Sequence, residues 1–290
     1  MEFKGIIPAV ITPMKEDGKV NYSSLRHLTN RLIDQGAGGL YICGSTSECF
    51  MLDDSERKKI VEVVTEETNG RVPVVAHIGA IWVDKAIEFA KHAASCGVTA
   101  VSSVPPFYYN FSFDEIAQYY KEISDAVDVP IILYNIPDFT GVSLNASNIR
   151  KILENCNVMG IKYTDYNLFE MERICRAYPG LSIYNGHDEC MLNALPLGIA
   201  GSIGSTFNIM LPQFKKIESL FVKGEIEKAR EIQHEVNAVI DVLLSTILFP
   251  AIKYILTKTG IDCGPCRKPF SELSEKDKAL LDTVLPLINK

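Results

Sequence analysis

The sequence contains no basic tract and no long apolar run. Acidic residues outnumber Lys and Arg by 36 to 29, and the formal net charge is −7. Nucleic acids and anionic membrane surfaces are negatively charged, so they are poor partners for such a chain. We therefore expect no nucleic-acid partner and no membrane partner, and a small solute as the ligand.

The longest stretch without a charged residue, 190–214, still contains three glycines, two prolines and two asparagines. A membrane-spanning helix needs about 20 predominantly apolar residues, so this stretch predicts buried structure and not a membrane span. The N-terminal residues MEFKGIIPAVITP carry an early glutamate and two prolines, which is not the pattern of a signal peptide. We expect a cytoplasmic location.

Eight cysteines are scattered along the chain, and we interpret them as reduced thiols. Cys263 and Cys266, in the segment CGPC, have the spacing of a thioredoxin-like redox pair. Such a pair should lie between a strand and a helix, whereas the residues before it have a helical pattern. A zinc site would need two more ligands nearby. We expect a structural segment without redox chemistry or metal.

Eight short segments rich in apolar and β-branched residues recur along the chain. They are 5–12, 38–45, 72–79, 98–106, 129–137, 158–164, 181–186 and 198–205. Amphipathic stretches with helical spacing, such as 54–67, 83–97 and 113–127, lie between them. This alternation predicts a parallel sheet covered by helices. Eight units favour an α/β fold of the (β/α)8 TIM barrel type over an open doubly wound sheet.

The last part of the chain, 207–290, shows helical patterns such as 225–244 and no convincing strand. We predict a single domain over 1–290. In it, 1–222 form the barrel, and 223–290 form a C-terminal helical extension packed on it.

Lys162 follows the apolar run of the sixth predicted strand. Burying an ammonium is costly, and burial of a lysine favours its neutral amine. Barrel enzymes place their chemistry at the C-terminal ends of the strands, so Lys162 is a candidate to form a Schiff base with a carbonyl substrate. Tyr134 ends the preceding strand and could move protons there. The alternative is a packed lysine whose amine reaches water.

Polar segments follow several other predicted strands. The GSTSE segment offers the hydroxyls of Ser45 and Thr46 and backbone N–H groups to an anion such as a carboxylate. GSIGS after strand eight could bind phosphate, but no Lys or Arg adjoins it. Asp188 and Glu189 follow strand seven and could ligate a metal together with His187. The sequence shows no further ligands at a suitable spacing, so we favour hydrogen bonds from these carboxylates to a polyhydroxy substrate.

The segments GLYICGSTSECF, YNIPDFTGVSL and VMGIKYT, with their spacing, resemble the signatures of the dihydrodipicolinate synthase and N-acetylneuraminate lyase superfamily of Schiff-base barrels. The similarity covers essentially the whole chain. Within the superfamily, YNGHDE, GSIGSTFNIM and CRKPF are similar to the lyase branch. The synthase branch has an arginine five residues after the tyrosine of strand five, where this sequence has Phe139.

The resemblance implies a reversible cleavage of N-acetylneuraminate to pyruvate and N-acetylmannosamine. It implies that Lys162 forms the imine and Tyr134 transfers protons, with no metal and no organic cofactor. The residues it implies for substrate binding are Ser45 and Thr46 at the carboxylate, and Thr164, Gly186, Asp188, Glu189 and Ser205 along the rest of the substrate. It also places Tyr108 near Tyr134 across a subunit contact, which implies a homotetramer.

Two positions depart from the family pattern. Ser47 replaces the glycine of the family's GSTGE, where the turn could need unusual backbone angles, and Tyr163 follows the lysine. Three alternative functions stay open. They are a related lyase acting on another 2-oxo sugar acid, dihydrodipicolinate synthase, and a ligand-binding regulator built on the same barrel.

Overall fold

The computed structural model describes residues 2–288, and its centre is a barrel of eight parallel strands. The predicted single domain also includes Met1 and residues 289 and 290, which lie outside the described residues. The strands are β1 (Gly5–Pro8), β2 (Leu40–Ile42), β3 (Val74–His77), β4 (Ala100–Ser103), β5 (Ile131–Asn135), β6 (Val158–Tyr163), β7 (Ser182–Asn185) and β8 (Gly201–Gly204). Each lies within one of the eight predicted segments.

The strands are hydrogen-bonded in the order β1, β8, β7, β6, β5, β4, β3, β2. A parallel bridge between Ala9 and Tyr41 joins the two ends, where the Val10 N–H donates to the Tyr41 carbonyl over 2.8 Å. The sheet therefore curves round to meet itself, and the prediction of a (β/α)8 barrel is confirmed.

Helices surround the barrel and continue after it. They are α1 (Tyr22–Asp34), α2 (Asp54–Thr68), α3 (Val83–Ser95), α4 (Phe113–Ala126), α5 (Pro137–Thr140), α6 (Arg150–Leu153), α7 (Leu168–Ala177), α8 (Met191–Ala194), α9 (Phe207–Val222), α10 (Ile226–Leu244), α11 (Leu248–Lys258), α12 (Glu275–Asp282) and α13 (Leu285–Ile288). The predicted helices at 54–67, 83–97, 113–127 and 225–244 correspond to α2, α3, α4 and α10. Both α2 and α4 begin with a capping box, which satisfies backbone N–H groups of the first turn.

Successive side chains of each strand face opposite sides of the sheet, which produces two apolar layers. The inner layer fills the barrel and contains Ile7, Tyr41, Ile132 and Tyr134. The outer layer lies between the strands and the helices. Side chains that point inward at the C-terminal ends of the strands therefore meet at one mouth of the barrel.

The C-terminal part of the described chain is helical, since the described residues 207–288 contain helices α9 to α13 and no strand. Within residues 2–288, no single helix has the length and apolar composition to cross a membrane. Helices α10 and α11 pass that test only when joined, across a bend of 115°.

Candidate active site

Lys162 and Tyr134 lie side by side inside the barrel mouth. They are register partners on the neighbouring strands β6 and β5, so both side chains point inward. The Lys162 Nζ lies 4.2 Å from the centroid of the Tyr134 ring, and only 5% of Lys162 is exposed. The amine is thus held in a largely water-free site, with a phenol as its neighbour.

A second tyrosine and a histidine complete the floor beneath the amine. The Tyr41 ring centroid is 4.6 Å from the Lys162 Nζ, and the Tyr41 hydroxyl donates to Ser102 Oγ over 3.0 Å. Burial lowers the pKa of His77 well below its usual value, so we infer a neutral ring. Its Nδ1 is 3.0 Å from the Cys43 carbonyl. Sequence reasoning missed these residues, because inside apolar strands they look like ordinary core positions.

The GSTSE segment forms a short 3₁₀ turn, Ser45–Ser47, at the end of β2. The hydroxyls of Thr46 and Ser205 lie 2.6 Å apart, which joins this turn to the end of β8. The expectation of unusual backbone angles at Ser47 is wrong, because the residues with positive φ here are Cys43 and Glu48, at 56° and 59°. The Ser47 hydroxyl instead donates to the Val10 carbonyl over 2.6 Å.

Asp188 is the buried carboxylate on the far side of the mouth. Its Oδ2 accepts from the Thr206 N–H over 2.8 Å and from the Thr206 hydroxyl over 2.7 Å, while Oδ1 has no partner within the described residues. A Cβ at Gly204 would lie 1.6 Å from Oδ1, so glycine is required there. Since a carboxylate already occupies the donors of Thr206, the arrangement disfavours the alternative of a phosphate site at GSIGS.

Glu189 belongs to a three-residue cluster at the outer end of the mouth. Its Oε1 accepts from the Tyr166 hydroxyl over 2.6 Å and lies 3.2 Å from His187 Nδ1. Tyr166 stacks on His187 with ring centroids 3.9 Å apart. Burial acts to raise the pKa of Glu189, but the hydrogen bonds from His187 and Tyr166 outweigh it and lower the pKa. Glu189 is therefore held ionised, as an acceptor.

These residues surround one cavity of about 220 Å³. Nine of the ten predicted site residues line it: Ser45, Thr46, Tyr134, Lys162, Thr164, Gly186, Asp188, Glu189 and Ser205. The tenth, Tyr108, is 84% exposed and does not line this cavity. Tyr163 points away from the cavity into the outer layer, where it is fully buried.

The cavity wall also contains residues that the sequence did not indicate. Helices α10 and α11 contribute four apolar side chains, which are Ile240, Leu244, Leu248 and Phe249. They follow β8 by about 36 to 45 residues, so no local pattern links them to the strand ends. Phe139, at the position of the arginine of the synthase branch, lines the cavity as well.

Burial and hydrogen bonding oppose each other at Asp188, and this predicts a pH-dependent stability. Burial raises the pKa of Asp188 from 3.8 to about 6, although the bonds from Thr206 act to lower it. The folded state therefore binds more protons than the unfolded state between about pH 4 and 6, so Asp188 makes stability fall as pH rises through this window. Asp188→Asn removes the charge. Between pH 4 and pH 7, the free energy of unfolding of this variant should therefore rise by on the order of 2–3 kcal/mol relative to that of the parent. Urea unfolding at several pH values measures this difference. A difference that does not change with pH would refute the raised pKa of Asp188.

The CGPC cysteines lie outside this cavity and are free thiols. Burial is the main cause that raises the pKa of both Cys263 and Cys266 to about 12, so these thiols are protonated near neutral pH and are poor nucleophiles. Within residues 2–288, no group of three or more His, Cys, Asp or Glu side chains is arranged to hold a metal ion.

Residues 2–286 match the model of the dihydrodipicolinate synthetase family. The chain belongs to this family. An N-acetylneuraminate lyase of Clostridium perfringens is 39% identical over 274 residues, which cover 94% of this chain and 95% of the lyase.

Solved structures of family members superpose closely on the chain. The protein CdNal of Clostridium difficile, in complex with mannosamine, has a TM-score of 0.96 at 35% identity, covering 99% of this chain and 100% of that one. A structure named dihydrodipicolinate synthase (dapA) has a TM-score of 0.93 at 30% identity, with 99% of each chain covered. Both branches of the family thus share the fold, and the cavity residues have to distinguish between them.

Proposed function

We propose that this family member is an N-acetylneuraminate lyase, a Schiff-base aldolase that cleaves N-acetylneuraminate reversibly to pyruvate and N-acetylmannosamine. The observation that carries the proposal is the single cavity that joins a buried amine and a phenol to two carboxylates at its far end. The lyase relatives at 39% identity over nearly their full length support it.

The reaction begins when the Lys162 amine attacks the C2 ketone of the open-chain sugar acid. Loss of water leaves an iminium, which is the electron sink for the bond cleavage. Tyr134, aided by the substrate carboxylate, removes the proton of the C4 hydroxyl. The C3–C4 bond then breaks, its electrons form an enamine, and N-acetylmannosamine leaves as the aldehyde. Protonation of the enamine and hydrolysis of the imine release pyruvate and restore the amine. The chemistry requires no cofactor.

The substrate carboxylate binds at the Ser45–Thr46 turn, where hydroxyl and backbone N–H donors face the cavity. The far end of the cavity presents acceptors, since Asp188 Oδ1 has no partner within the described residues and Glu189 is held ionised. Acceptors in this number suit the hydroxyl donors of a sugar chain, with Thr164, Gly186 and Ser205 along its path.

The cavity disfavours the synthase alternative. Phe139 lines the wall where the synthase branch would carry a cation to hold a second carboxylate, and a phenyl ring offers no such charge. A related lyase acting on another 2-oxo sugar acid would use the same Lys162 and Tyr134, so only a comparison of substrates separates it from the proposed lyase.

The active form that we propose is a cytoplasmic homotetramer. Tyr108 is exposed with a positive φ of 77°, and it forms an aromatic pair with Tyr109, which is 64% exposed. Exposed aromatic rings of this kind are typical of contact surfaces. In the assembly, Tyr108 would approach Tyr134 of a neighbouring subunit and take part in proton transfer.

A panel of 2-oxo sugar acids tests the function, with pyruvate release as the measurement. N-acetylneuraminate should be the best substrate, and a chelator should leave the rate unchanged. Glu189→Gln should raise KM for N-acetylneuraminate by about 10- to 100-fold, because a charged hydrogen-bond acceptor contributes ~1.5–3 kcal/mol. The same variant should keep the parent's half-saturation for pyruvate, which has no hydroxylated tail. A parent protein that releases no pyruvate from any member of the panel would refute the proposal.

A further inference from the structure

The CGPC segment, which the proposed chemistry does not use, is tied to the carboxylate of Glu48. The Arg267 N–H donates to Glu48 Oε2 over 2.7 Å, and the Lys253 Nζ donates to Glu48 Oε1 over 2.5 Å and to the Pro265 carbonyl over 3.0 Å. The side chains of Lys253 and Glu48 are 1% and 0% exposed. We call Glu48, Lys253 and the segment Cys263–Arg267 the Glu48 clamp.

The clamp segment is itself fixed to the N-terminal part of the chain. The Cys263 carbonyl accepts from the Met14 N–H over 2.7 Å. Gly264 has a φ of 56°, and a Cβ there would lie 2.2 Å from the Met14 carbonyl oxygen, so only glycine allows this approach. The Arg267 guanidinium donates to the carbonyls of Met51 and Gly18 over 2.6 and 3.0 Å. The CGPCR sequence is thus a spacer that places one donor, the Arg267 backbone N–H, on the Glu48 carboxylate and one acceptor, the Pro265 carbonyl, on the Lys253 ammonium.

The backbone of Glu48 belongs to the turn that offers Ser45 and Thr46 to the substrate. The Glu48 N–H donates to the Ser45 carbonyl over 3.0 Å. Glu48 has a φ of 59°, a left-handed conformation that a residue other than glycine keeps only where its surroundings hold it. The hydrogen bonds that hold its side chain come from Lys253 and Arg267 of the clamp, which lie more than 200 residues away in sequence.

We propose that Lys253 is a positioning residue for the substrate carboxylate, acting through Glu48 on the turn Ser45–Ser47. A buried ion pair is weak support for stability, because desolvation offsets much of its attraction, but it holds its two partners in one arrangement. Loss of the Lys253 charge would let the turn relax, and displacements near 1 Å at a positioning group cost up to about 100-fold in rate. The inference rests on the proposed function, since it assumes that the turn binds the pyruvate carboxylate.

The test measures the pyruvate concentration that gives half-maximal borohydride-trapped adduct on Lys162. Lys253→Met should raise this concentration by about 10- to 100-fold, while saturating pyruvate still labels Lys162 fully. Lys258→Met is the matched control, because it removes an exposed lysine from the same helix α11, 3.8 Å from Asp282. The control should stay within about twofold of the parent, as is usual for exposed ion pairs.

A lone buried carboxylate could unfold Lys253→Met, so the double variant Glu48→Gln, Lys253→Met is also measured. In this double variant both charges of the buried pair are removed, and the amide oxygen that Glu48→Gln introduces remains an acceptor for the Arg267 backbone N–H. The half-saturating pyruvate concentration of the double variant should lie between those of the parent and Lys253→Met, at least about threefold above that of the parent. A folded double variant whose half-saturating pyruvate concentration equals that of the parent would overturn the inference. An equal rise of this concentration in Lys258→Met would overturn it as well. A parent that forms no adduct at all would instead count against the proposed function.

Discussion

Lys162→Arg should abolish both pyruvate trapping and sialic acid cleavage. The guanidinium stays protonated and lacks the free amine that forms an imine, so no covalent intermediate can arise. Without the iminium, no electron sink is available for the C3–C4 bond, and turnover should fall to background. The barrel should still fold, because the aromatic rings of Tyr41 and Tyr134, which lie 4.6 and 4.2 Å from the Lys162 amine, can also stack on a guanidinium.

The measurement is peptide mapping after incubation with pyruvate and borohydride. In the parent, the reduced secondary amine should map to Lys162. The rate of cleavage is measured separately, as pyruvate release from N-acetylneuraminate. Lys253 is the internal control, because it is also buried, at 1% exposed, but is paired with Glu48. An adduct on Lys253 or another lysine, or cleavage by the arginine variant, would show that Lys162 is only a packed lysine.

Tyr134→Phe should separate imine formation from bond cleavage. In the proposed mechanism the phenol transfers a proton but forms no bond to the substrate, so the variant should still be labelled by pyruvate and borohydride. Cleavage should fall by about 10²–10⁴-fold, the usual contribution of a positioned general acid or base. Because the phenyl ring keeps the 6.2 Å edge-to-face contact with Tyr41, the packing around the amine should change little.

Tyr41→Phe is the matched control for this variant. Tyr41 is the other tyrosine beside the amine, but its hydroxyl donates to Ser102 at the floor and is fully buried. Its loss should reduce the rate far less than the loss of the Tyr134 hydroxyl. Equal losses in the two variants would contradict the role of Tyr134 as the proton carrier and would indicate a shared effect on packing.

The repeated pattern of apolar segments was sufficient to predict the barrel, because strand and helix periodicities are local properties of the sequence. The strand ends then predicted which polar residues face one mouth, and Lys162 and Tyr134 do meet there as register partners. The stack of Tyr166 on His187 was not predictable, because it joins loops after different strands. The apolar wall from α10 and α11 was missed for a similar reason, since it depends on how these two helices pack against the barrel mouth.

Tyr108 shows a different limit. Its sequence position follows strand four, as several site residues follow other strands, yet the side chain is exposed and away from the cavity. A single chain contains no signal for what a second copy would bring near it. The role that we propose for Tyr108 therefore depends on assembly and stays a prediction.

The apolar wall and the pair Lys162 and Tyr134 line the same cavity but are far apart along the gene. The groups that we propose to react lie on β5 and β6, whereas Ile240, Leu244, Leu248 and Phe249 are encoded more than 70 residues later. Recombination within this family could therefore exchange the wall as one contiguous block and leave the segment with Tyr134 and Lys162 unchanged. Such a chimera would have to bring a lysine at position 253 with it, because the same helix that shapes the cavity also holds Glu48. Selection on the shape of this wall can thus act on one end of the coding sequence, within the limit set by a single ion pair.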